Sequence, residues 1–256
     1  MKGRKAKAVI AGLVVLCLVS MSLLGIIWHR EGYTRKVLIK LGLTTEKDPT
    51  RDHNALLGWQ ASLESMNYKA DVAFFGDSIT KNNRWQDYFP GIAVCNLGYS
   101  GDTVAGLLER TGMVRAVNPD KVFILIGVNN MGKGRYLENL SEGYRQLVDQ
   151  LREDLPQAQL YMVSILPTCP PSDVSNQQIL EANQMIQALA AELDIPYIDT
   201  HSQFVDGQGQ LVEAYTKDGV HLSQQGKDLL AQCLAPYVGD EAYVPHPASA
   251  GEQDDG

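Results

Sequence analysis

The chain has 256 residues, 45% of them hydrophobic and 20% charged, which is ordinary for a globular protein with one well-packed domain. Its formal net charge is −8, and because residues 1–7 carry four basic side chains and no acid, the remainder carries −12. A body this acidic is a poor match for nucleic acid, since binding to phosphates needs clustered lysine and arginine, so no nucleic-acid partner is expected.

An uncharged apolar segment, residues 8–28, follows the basic start. As a helix, about 20 residues cross a hydrocarbon core of about 30 Å, so we predict a transmembrane anchor there. Residues 1–7 then form a cytoplasmic stub, and a stalk at 29–51 leads to a domain on the other side of the membrane. A cleaved signal peptide and a buried core helix stay open as alternatives, although a signal peptide's apolar region is usually about 7–15 residues long.

Cysteine usage gives no sign of a disulfide framework or a metal site. Three of the four cysteines lie outside the predicted span, and an odd number cannot all pair within one chain. Cys95, in a predicted strand, and Cys233, in a predicted helix, fit small buried thiols. Neither Cys-x-x-Cys nor His-x-x-x-His spacing occurs, so we expect no metal and no other cofactor.

Short apolar segments alternate with amphipathic ones along the rest of the chain. Segments rich in valine, isoleucine, leucine and phenylalanine are predicted strands: 71–76, 91–98, 121–127, 159–166 and 196–200. Segments with apolar residues three and four apart are predicted helices: 53–68, 103–117, 136–155, 176–194 and 223–238. The alternation predicts a three-layer α/β/α sandwich with a mostly parallel five-stranded sheet over residues 52–239. The polar tail at 240–256 is predicted to be disordered.

The loops around the strand ends carry the polar residues of interest, because parallel sheets bind ligands beyond the carboxyl ends of their strands. The first predicted strand ends in Gly-Asp-Ser at 76–78, and the second leads into the glycine-containing loop 96–103. The third ends in Gly-Val-Asn-Asn at 127–130, and Asp-Gly-Val-His at 218–221 precedes the last helix. We therefore expect these four loops to meet at one rim of the sheet.

A serine on such a rim can attack an ester when neighbouring groups accept its proton and stabilise the charge that develops. The sequence offers Ser78 as the nucleophile, His221 as the base and Asp218 as the carboxylate that orients the imidazole. The backbone N–H groups of Ser78 and Gly101 and the side-chain amide of Asn129 are candidate donors to the oxyanion.

These loops together resemble the SGNH, or GDSL-like, hydrolases, which are serine esterases and lipases on a flavodoxin-like α/β/α sandwich. The resemblance covers about residues 70–237, and four stretches carry it in the family's order: FFGDSIT, NLGYSGDT, GVNN and DGVH. One position departs from the pattern, because Asn130 stands where many members have aspartate. That departure bears on the subfamily and not on the reaction.

The resemblance implies a role for each candidate residue. Ser78 is then the nucleophile, Asp218 and His221 complete a catalytic triad, and Ser78, Gly101 and Asn129 form the oxyanion hole. No metal and no cofactor takes part in this scheme. The resemblance also implies a flavodoxin-like fold for the parallel sheet that the strand pattern predicts, and one transmembrane helix is expected to precede it.

Other interpretations of these residues stay open at this point. Asp77 and Ser78 could cap the next helix, and Gly101 could serve only a turn that needs a positive φ. Asp199 and His201 form a rival acid–histidine pair at the end of the fifth predicted strand. Ser-x-x-Lys at 78–81 also opens penicillin-binding proteins, but the Ser-Asp-Asn and Lys-Thr-Gly elements of those proteins do not occur in this sequence.

The sequence as a whole predicts a membrane-anchored, extracytoplasmic serine esterase that acts through an acyl-enzyme. Its expected substrate is a small ester or an O-acylated glycan or lipid, and the chain has no long apolar insertion between Ser78 and His221 that could form a lipase lid. Short acyl chains such as acetyl are therefore favoured. A lysophospholipase or acyl-thioesterase of the same fold, and a catalytically inactive binding domain, remain as alternatives.

Overall fold

A parallel five-stranded sheet runs through the part of the chain that this computed structural model describes, residues 53–131 and 140–245. The strands lie side by side in the order β2-β1-β3-β4-β5. In chain order they are β1 Val72–Gly76, β2 Val94–Gly98, β3 Lys121–Leu125, β4 Gln159–Val163 and β5 Tyr197–Ile198. All five predicted strands are confirmed, each with shorter bounds than the apolar pattern suggested.

Helices fill the connections, as the amphipathic segments predicted. In chain order the α-helices of the described residues are α1 His53–Met66, α2 Ser78–Lys81, α3 Trp85–Tyr88, α4 Val104–Leu108, α5 Thr111–Val117, α6 Val128–Met131, α7 Leu140–Asp154, α8 Asn176–Glu192, α9 His201–Phe204 and α10 Gln224–Val238. Short 3-10 helices lie at Glu213–Tyr215 and Asp240–Ala242. The inner strand β1 is covered on both faces, since each of its residues is buried and successive side chains point to opposite faces.

The predicted helix over 103–117 is wrong in one respect, because the structure divides it into α4 and α5. Arg110 lies at the break with φ −131, outside helical geometry, and its side chain turns into the protein. The apolar periodicity continues across the break, so the sequence pattern could not reveal that the helix is divided. The guanidinium of Arg110 makes buried hydrogen bonds at the ends of the neighbouring strands, and an uninterrupted helix would not place it there.

Aromatic side chains form the centre of one sheet face. Phe74 of β1 is paired in register with Phe123 of β3, which is paired in turn with Tyr161 of β4. Their ring centroids lie 5.2 Å and 4.6 Å apart, and Trp85 of α3 stacks on Phe74 at 3.9 Å. Stacked rings of this size bury a large apolar area and hold the three central strands together.

The strand register sets the position of the candidate site. Gly76 at the end of β1 lies level with Gly98 of β2 and Leu125 of β3, so the loops that follow these strands begin at the same edge of the sheet. Gly98 is required for close approach, because a Cβ there would meet the backbone N of Lys81. The helix that begins with Ser78 is therefore pressed against the end of β2.

The C-terminal segment differs from its prediction where it is described. Residues 240–256 were expected to be disordered, but Asp240–Ala242 form a 3-10 helix, and the rings of Tyr243 and Phe89 lie 5.9 Å apart. The N–H of Val244 donates to the carbonyl of Tyr88 at 2.8 Å. A tyrosine packed on the core and a backbone hydrogen bond hold this part of the tail, while 246–256 lie outside the described residues.

Within 53–131 and 140–245, no helix has both the length and the apolar composition needed to cross a membrane. The predicted stub at 1–7, anchor at 8–28 and stalk at 29–51 lie outside the described residues.

Candidate active site

Ser78 is the first residue of α2, and only Asp77 separates it from the end of β1. The cap of this helix is Asp77, whose Oδ1 accepts a hydrogen bond from the N–H of Ile79 at 2.9 Å. Since Asp77 fills the capping role that the sequence left open for both residues, the hydroxyl of Ser78 is not needed there. A tight strand-to-helix turn thus presents this hydroxyl at the edge of the sheet.

The hydroxyl of Ser78 lies against an imidazole from the other end of the domain. Ser78 Oγ is 3.0 Å from Nε2 of His221, and Nδ1 of His221 is 2.6 Å from Oδ2 of Asp218. These are hydrogen-bond distances, so the three side chains form one chain of contacts. The structure brings together the serine, histidine and aspartate that the sequence singled out.

The loop that carries His221 is fixed mainly by its own hydrogen bonds. Oδ1 of Asp218 accepts from the N–H groups of Val220 and His221 at 3.1 Å and 2.7 Å, while its Oδ2 faces the imidazole. Thr216 Oγ1 donates to the carbonyl of His221 and accepts from the N–H of Gly219, both at 2.9 Å. Asp218 therefore positions both the backbone and the ring of His221.

The same contacts keep Asp218 ionised. Burial alone would raise the pKa of Asp218, but the hydrogen bonds from the ring and N–H of His221 and from the N–H of Val220 outweigh it, so the pKa lies below its ordinary value. A carboxylate that stays charged can hold the Nδ1 proton of an imidazole and stabilise an imidazolium. The arrangement favours a His221 whose Nε2 accepts a proton from Ser78.

The candidate oxyanion donors come from three loops at this edge. Gly101 has φ +74, a conformation that favours glycine, in a turn closed by the N–H of Asp102 donating to the carbonyl of Tyr99. The amide of Asn129 donates to the carbonyl of Asp102 at 2.9 Å, so its orientation is fixed. The N–H of Ser78 lies in the first turn of α2, where N–H groups have no acceptor within the helix.

Asn130, where the family pattern often has aspartate, connects two of these segments. Its Oδ1 accepts a hydrogen bond from the N–H of Val104, the first residue of α4, at 3.2 Å. A carboxylate oxygen could accept the same bond. Asparagine in place of aspartate at position 130 therefore preserves the hydrogen bond from the N–H of Val104.

Sequence reasoning missed a buried ion pair beside the oxyanion donors. Nε of Arg110 lies 2.7 Å from Oδ2 of Asp102, and both side chains are 2% exposed. The guanidinium also donates to the carbonyls of Leu97 at 2.6 Å and Gly76 at 2.8 Å. The arginine within the predicted helix 103–117 was the available signal, but amphipathic periodicity assigns such a residue to the solvent face.

Asp77 is the most perturbed carboxyl group at the site. It is fully buried, its Oδ2 has no hydrogen-bond partner, and burial raises its pKa to about 7, although the hydrogen bond from Ile79 opposes that shift. Strongly perturbed carboxyl groups are common in active sites. Asp77 caps α2 through its Oδ1. Because its pKa is raised to about 7, its carboxyl group is largely uncharged below that pH.

The rival pair, Asp199 and His201, is placed differently. The N–H of His201 donates to Oγ of Ser164, its Nε2 has no hydrogen-bond partner, and burial lowers its pKa, opposed by the charge of Asp199. Asp199 Oδ1 accepts from the N–H of Ser202 at the start of α9. The imidazole bonded to the Ser78 hydroxyl is that of His221.

Across the described parts of the chain, histidine, cysteine, aspartate and glutamate side chains form no group of three that could hold a metal ion. The free cysteines in this region, Cys95, Cys169 and Cys233, are each partly exposed, so Cys95 and Cys233 are not the fully buried thiols that the sequence favoured.

Comparison with known proteins identifies the family of this chain. The model of the GDSL-like lipase/acylhydrolase family matches residues 74–229. Human platelet-activating factor acetylhydrolase IB subunit alpha1 is 26% identical over 200 residues, which are 72% of this chain and 86% of the human protein. The segment that the family model matches, 74–229, contains all of the candidate residues described above.

Solved structures share the fold. A protein of Streptococcus pneumonia described as a platelet activating factor is 28% identical, with a TM-score of 0.65 over 73% of this chain and 95% of its own. An acetylxylan esterase from Geobacillus stearothermophilus, solved as a catalytic mutant, has a TM-score of 0.56 at 24% identity over 68% of this chain and 95% of its own. The second likeness concerns the fold alone.

Proposed function

Because this chain belongs to the GDSL-like lipase/acylhydrolase family, whose members are carboxylic ester hydrolases, we propose that it hydrolyses short-chain esters through Ser78, His221 and Asp218. One observation carries the proposal, which is a chain of two hydrogen bonds. The first joins Ser78 Oγ to Nε2 of His221 at 3.0 Å, and the second joins Nδ1 of His221 to Oδ2 of Asp218 at 2.6 Å. A serine that only capped a helix would not require hydrogen bonds to a histidine and, through it, to an aspartate.

In the first half of the reaction, Ser78 Oγ forms a bond to the acyl carbon while Nε2 of His221 takes the hydroxyl proton. The carbonyl oxygen becomes an oxyanion, which the N–H groups of Ser78 and Gly101 and the amide of Asn129 stabilise. The bond from the acyl carbon to the alcohol oxygen then breaks, and His221 returns the proton to the departing alcohol. The product left on the protein is an ester of Ser78.

In the second half, water takes the place of the alcohol. His221 removes a proton from the water as its oxygen attacks the acyl carbon, and the same donors stabilise the second oxyanion. The bond to Ser78 Oγ then breaks while His221 returns the proton to Oγ, which releases the carboxylic acid and restores the hydroxyl. Asp218 stays ionised throughout, which its lowered pKa supports.

We further propose that the acyl group is short, with acetyl the best candidate, and that the substrate is a small ester or an O-acetylated glycan or lipid. The human relative's description as an acetylhydrolase supports this choice. The sequence between Ser78 and His221 contains no long apolar insertion, which supports it as well, because a long-chain lipase generally needs an apolar surface to hold its acyl chain.

A series of p-nitrophenyl esters from acetyl to dodecanoyl tests the proposal on the full-length chain. We expect kcat/KM to be highest for acetyl and to fall as the chain lengthens, and Ser78→Ala to remove activity against every ester. Ser62→Ala, an exposed serine of α1, is the matched control and should keep wild-type rates. Preference for the longest esters would favour a lipase or thioesterase, and hydrolysis by Ser78→Ala would refute the assignment of the nucleophile.

The location of the protein is also a proposal. The uncharged segment at 8–28 and the basic residues before it support a single membrane anchor, with the N-terminus in the cytoplasm and the catalytic domain outside. If so, the full-length chain should stay with membranes after extraction with high salt and with alkaline carbonate, and a variant lacking 8–28 should not. Release of the intact chain by carbonate would contradict an anchor, and a mature protein that begins after residue 28 would show cleavage.

A further inference from the structure

A buried arginine connects the ends of two strands with the loop that carries one of the oxyanion donors. The guanidinium of Arg110 donates to the carbonyls of Gly76, at the end of β1, and Leu97, near the end of β2, and it pairs with the carboxylate of Asp102. Its Cζ also lies 4.4 Å from the ring centroid of Phe75, which leaves little room for the side chain to move. Every one of these partners belongs to a segment that borders the candidate site.

Two of these partners, Gly76 and Asp102, lie within two residues of a group assigned to the reaction. Gly76 precedes Asp77 and Ser78 on the turn that presents the nucleophile. Asp102 follows Gly101, and its N–H closes the turn that gives Gly101 its φ of +74. A shift of the Arg110 contacts would therefore displace the N–H groups of Ser78 and Gly101, the two proposed backbone donors to the oxyanion.

The third donor depends on the same ion pair by a different route. The carbonyl of Asp102 accepts the hydrogen bond from the Asn129 amide, so the position of Asp102 sets the direction of that amide. With its carboxylate held by Arg110 and its backbone N–H held by Tyr99, Asp102 has fixed contacts on both sides of this carbonyl. The orientation of Asn129 thus depends on where Arg110 holds Asp102.

We infer that Arg110 is a positioning residue for the oxyanion hole, acting through Asp102 on Gly101 and Asn129 and through Gly76 on the turn of Ser78. The planar guanidinium suits this task because it offers several donors in a fixed geometry, whereas lysine offers a single mobile ammonium group. Donors to an oxyanion must be in place before the charge develops, so rigid support raises the rate without tightening the binding of the ester. This inference rests on the proposed function.

The test compares Arg110→Lys with Arg115→Lys in the full-length chain. Arg115 lies five residues later, in α5, but its side chain is largely exposed and pairs with Asp154, so it is a matched control. For each protein, kcat and KM are measured with p-nitrophenyl acetate, and active sites are counted by complete reaction with a fluorophosphonate. Expressing kcat per reactive site separates the catalytic effect from any loss of folded protein.

We expect Arg110→Lys to lower kcat per reactive site by about 10- to 100-fold, less than or comparable to the loss of a whole donor at about 100- to 1000-fold, with KM changed less than threefold. Arg115→Lys should match the wild type. If Arg110 were only a structural residue, the number of reactive sites would fall while kcat per site stayed within threefold of wild type, and that result would overturn the inference.

A second variant tests the same inference if Arg110→Lys yields no folded protein. Asp102→Asn retains an oxygen that can accept from Nε of Arg110 but loses the charge, and we expect a drop in kcat per site of the same kind. An Asp102→Asn protein with the wild-type kcat per site would overturn the inference in its turn. Failure of the proposed function looks different, because the wild-type chain itself would then hydrolyse no ester.

Discussion

Ser78 Oγ and His221 Nε2 lie 3.0 Å apart although 143 residues separate them in the chain. Ser78 comes from the turn after β1, an inner strand of the sheet, and His221 comes from the loop before α10. A contact between such distant segments requires the whole domain to be folded correctly. The proposed chemistry is thus a product of the tertiary structure, and changes at either loop are expected to act on it.

Asp218→Asn should lower kcat by about 100- to 10,000-fold. The amide would retain the size of the side chain, but its NH₂ group can donate to Nδ1 of His221 and so favour the tautomer that carries its proton on Nε2. An imidazole in that state cannot accept the proton of Ser78. Rates of p-nitrophenyl acetate hydrolysis check this expectation.

Asp199→Asn is the matched control for that change, because Asp199 belongs to the rival acid–histidine pair. We expect it to leave kcat within about twofold of wild type. A large loss in Asp199→Asn together with a small one in Asp218→Asn would transfer the role of the acid to Asp199 and contradict the assignment of His221.

Asn129→Asp should lower kcat by about 100- to 1000-fold with little change in KM, since a carboxylate cannot donate a hydrogen bond and would repel the oxyanion. The neighbouring change Asn130→Asp makes the same chemical replacement one residue later. There the side chain acts as an acceptor for the N–H of Val104, which a carboxylate oxygen also provides, so we expect activity within about threefold of wild type. Equal losses in the two variants would argue against Asn129 as a donor.

Asp77→Asn should change the dependence of stability on pH. In the folded protein burial raises the pKa of Asp77 to about 7, whereas the unfolded chain loses this proton near its ordinary value of 3.8. Between these two values the folded state holds a proton that the unfolded state has released, so the contribution of Asp77 to stability falls as pH rises toward 7. The change is about 1.4 kcal/mol for each pH unit in that interval.

Urea unfolding of the wild type and of Asp77→Asn at about pH 5 and about pH 8 measures this effect. Asparagine cannot ionise, so the free energy of unfolding of the variant, relative to wild type, should be higher by roughly 2 to 3 kcal/mol at the upper pH than at the lower. The relative stability is what matters, because other titrating groups contribute equally to both proteins. A difference that does not change with pH would mean that Asp77 ionises in the folded state as it does in the unfolded chain.

Gly98→Ala should destabilise the protein by about 1 to 3 kcal/mol and lower its activity, because the new methyl group would collide with the backbone of Lys81 in α2. Since α2 begins with Ser78, moving this helix displaces the nucleophile. Gly91→Ala is the control, as a Cβ at Gly91 meets nothing within 4 Å. Thermal unfolding and ester hydrolysis measure the two effects, and an unaffected Gly98→Ala protein would contradict the close packing at this edge.

Much of the fold and of the site could be predicted from the sequence because the relevant signals are local. Buried parallel strands are short runs of large apolar residues, as in Val72–Gly76, and in such a sheet the following loops share one edge. The three-residue spacing of Asp218 and His221 also places both side chains on one turn. These local patterns were enough to bring Ser78, Asp218 and His221 together in the prediction.

The parts that the sequence did not predict depend on contacts between distant segments. The break between α4 and α5 cannot be read from apolar spacing, because Arg110 turns inward to reach the carbonyls of Gly76 and Leu97. Likewise, the polar composition of the C-terminal segment predicted disorder, but the ring of Tyr243 lies against that of Phe89. In both cases a single side chain with a partner elsewhere in the fold outweighs the local pattern.

The most direct measurement of the central claim is the site of covalent labelling by a fluorophosphonate on the full-length chain. Mass spectrometry of the digested protein should find one phosphonyl group, on Ser78, and His221→Gln should slow its attachment by at least about 100-fold, because the imidazole no longer accepts the serine proton. Labelling of a different residue, or complete loss of ester hydrolysis while Ser78 stays unlabelled, would contradict the account.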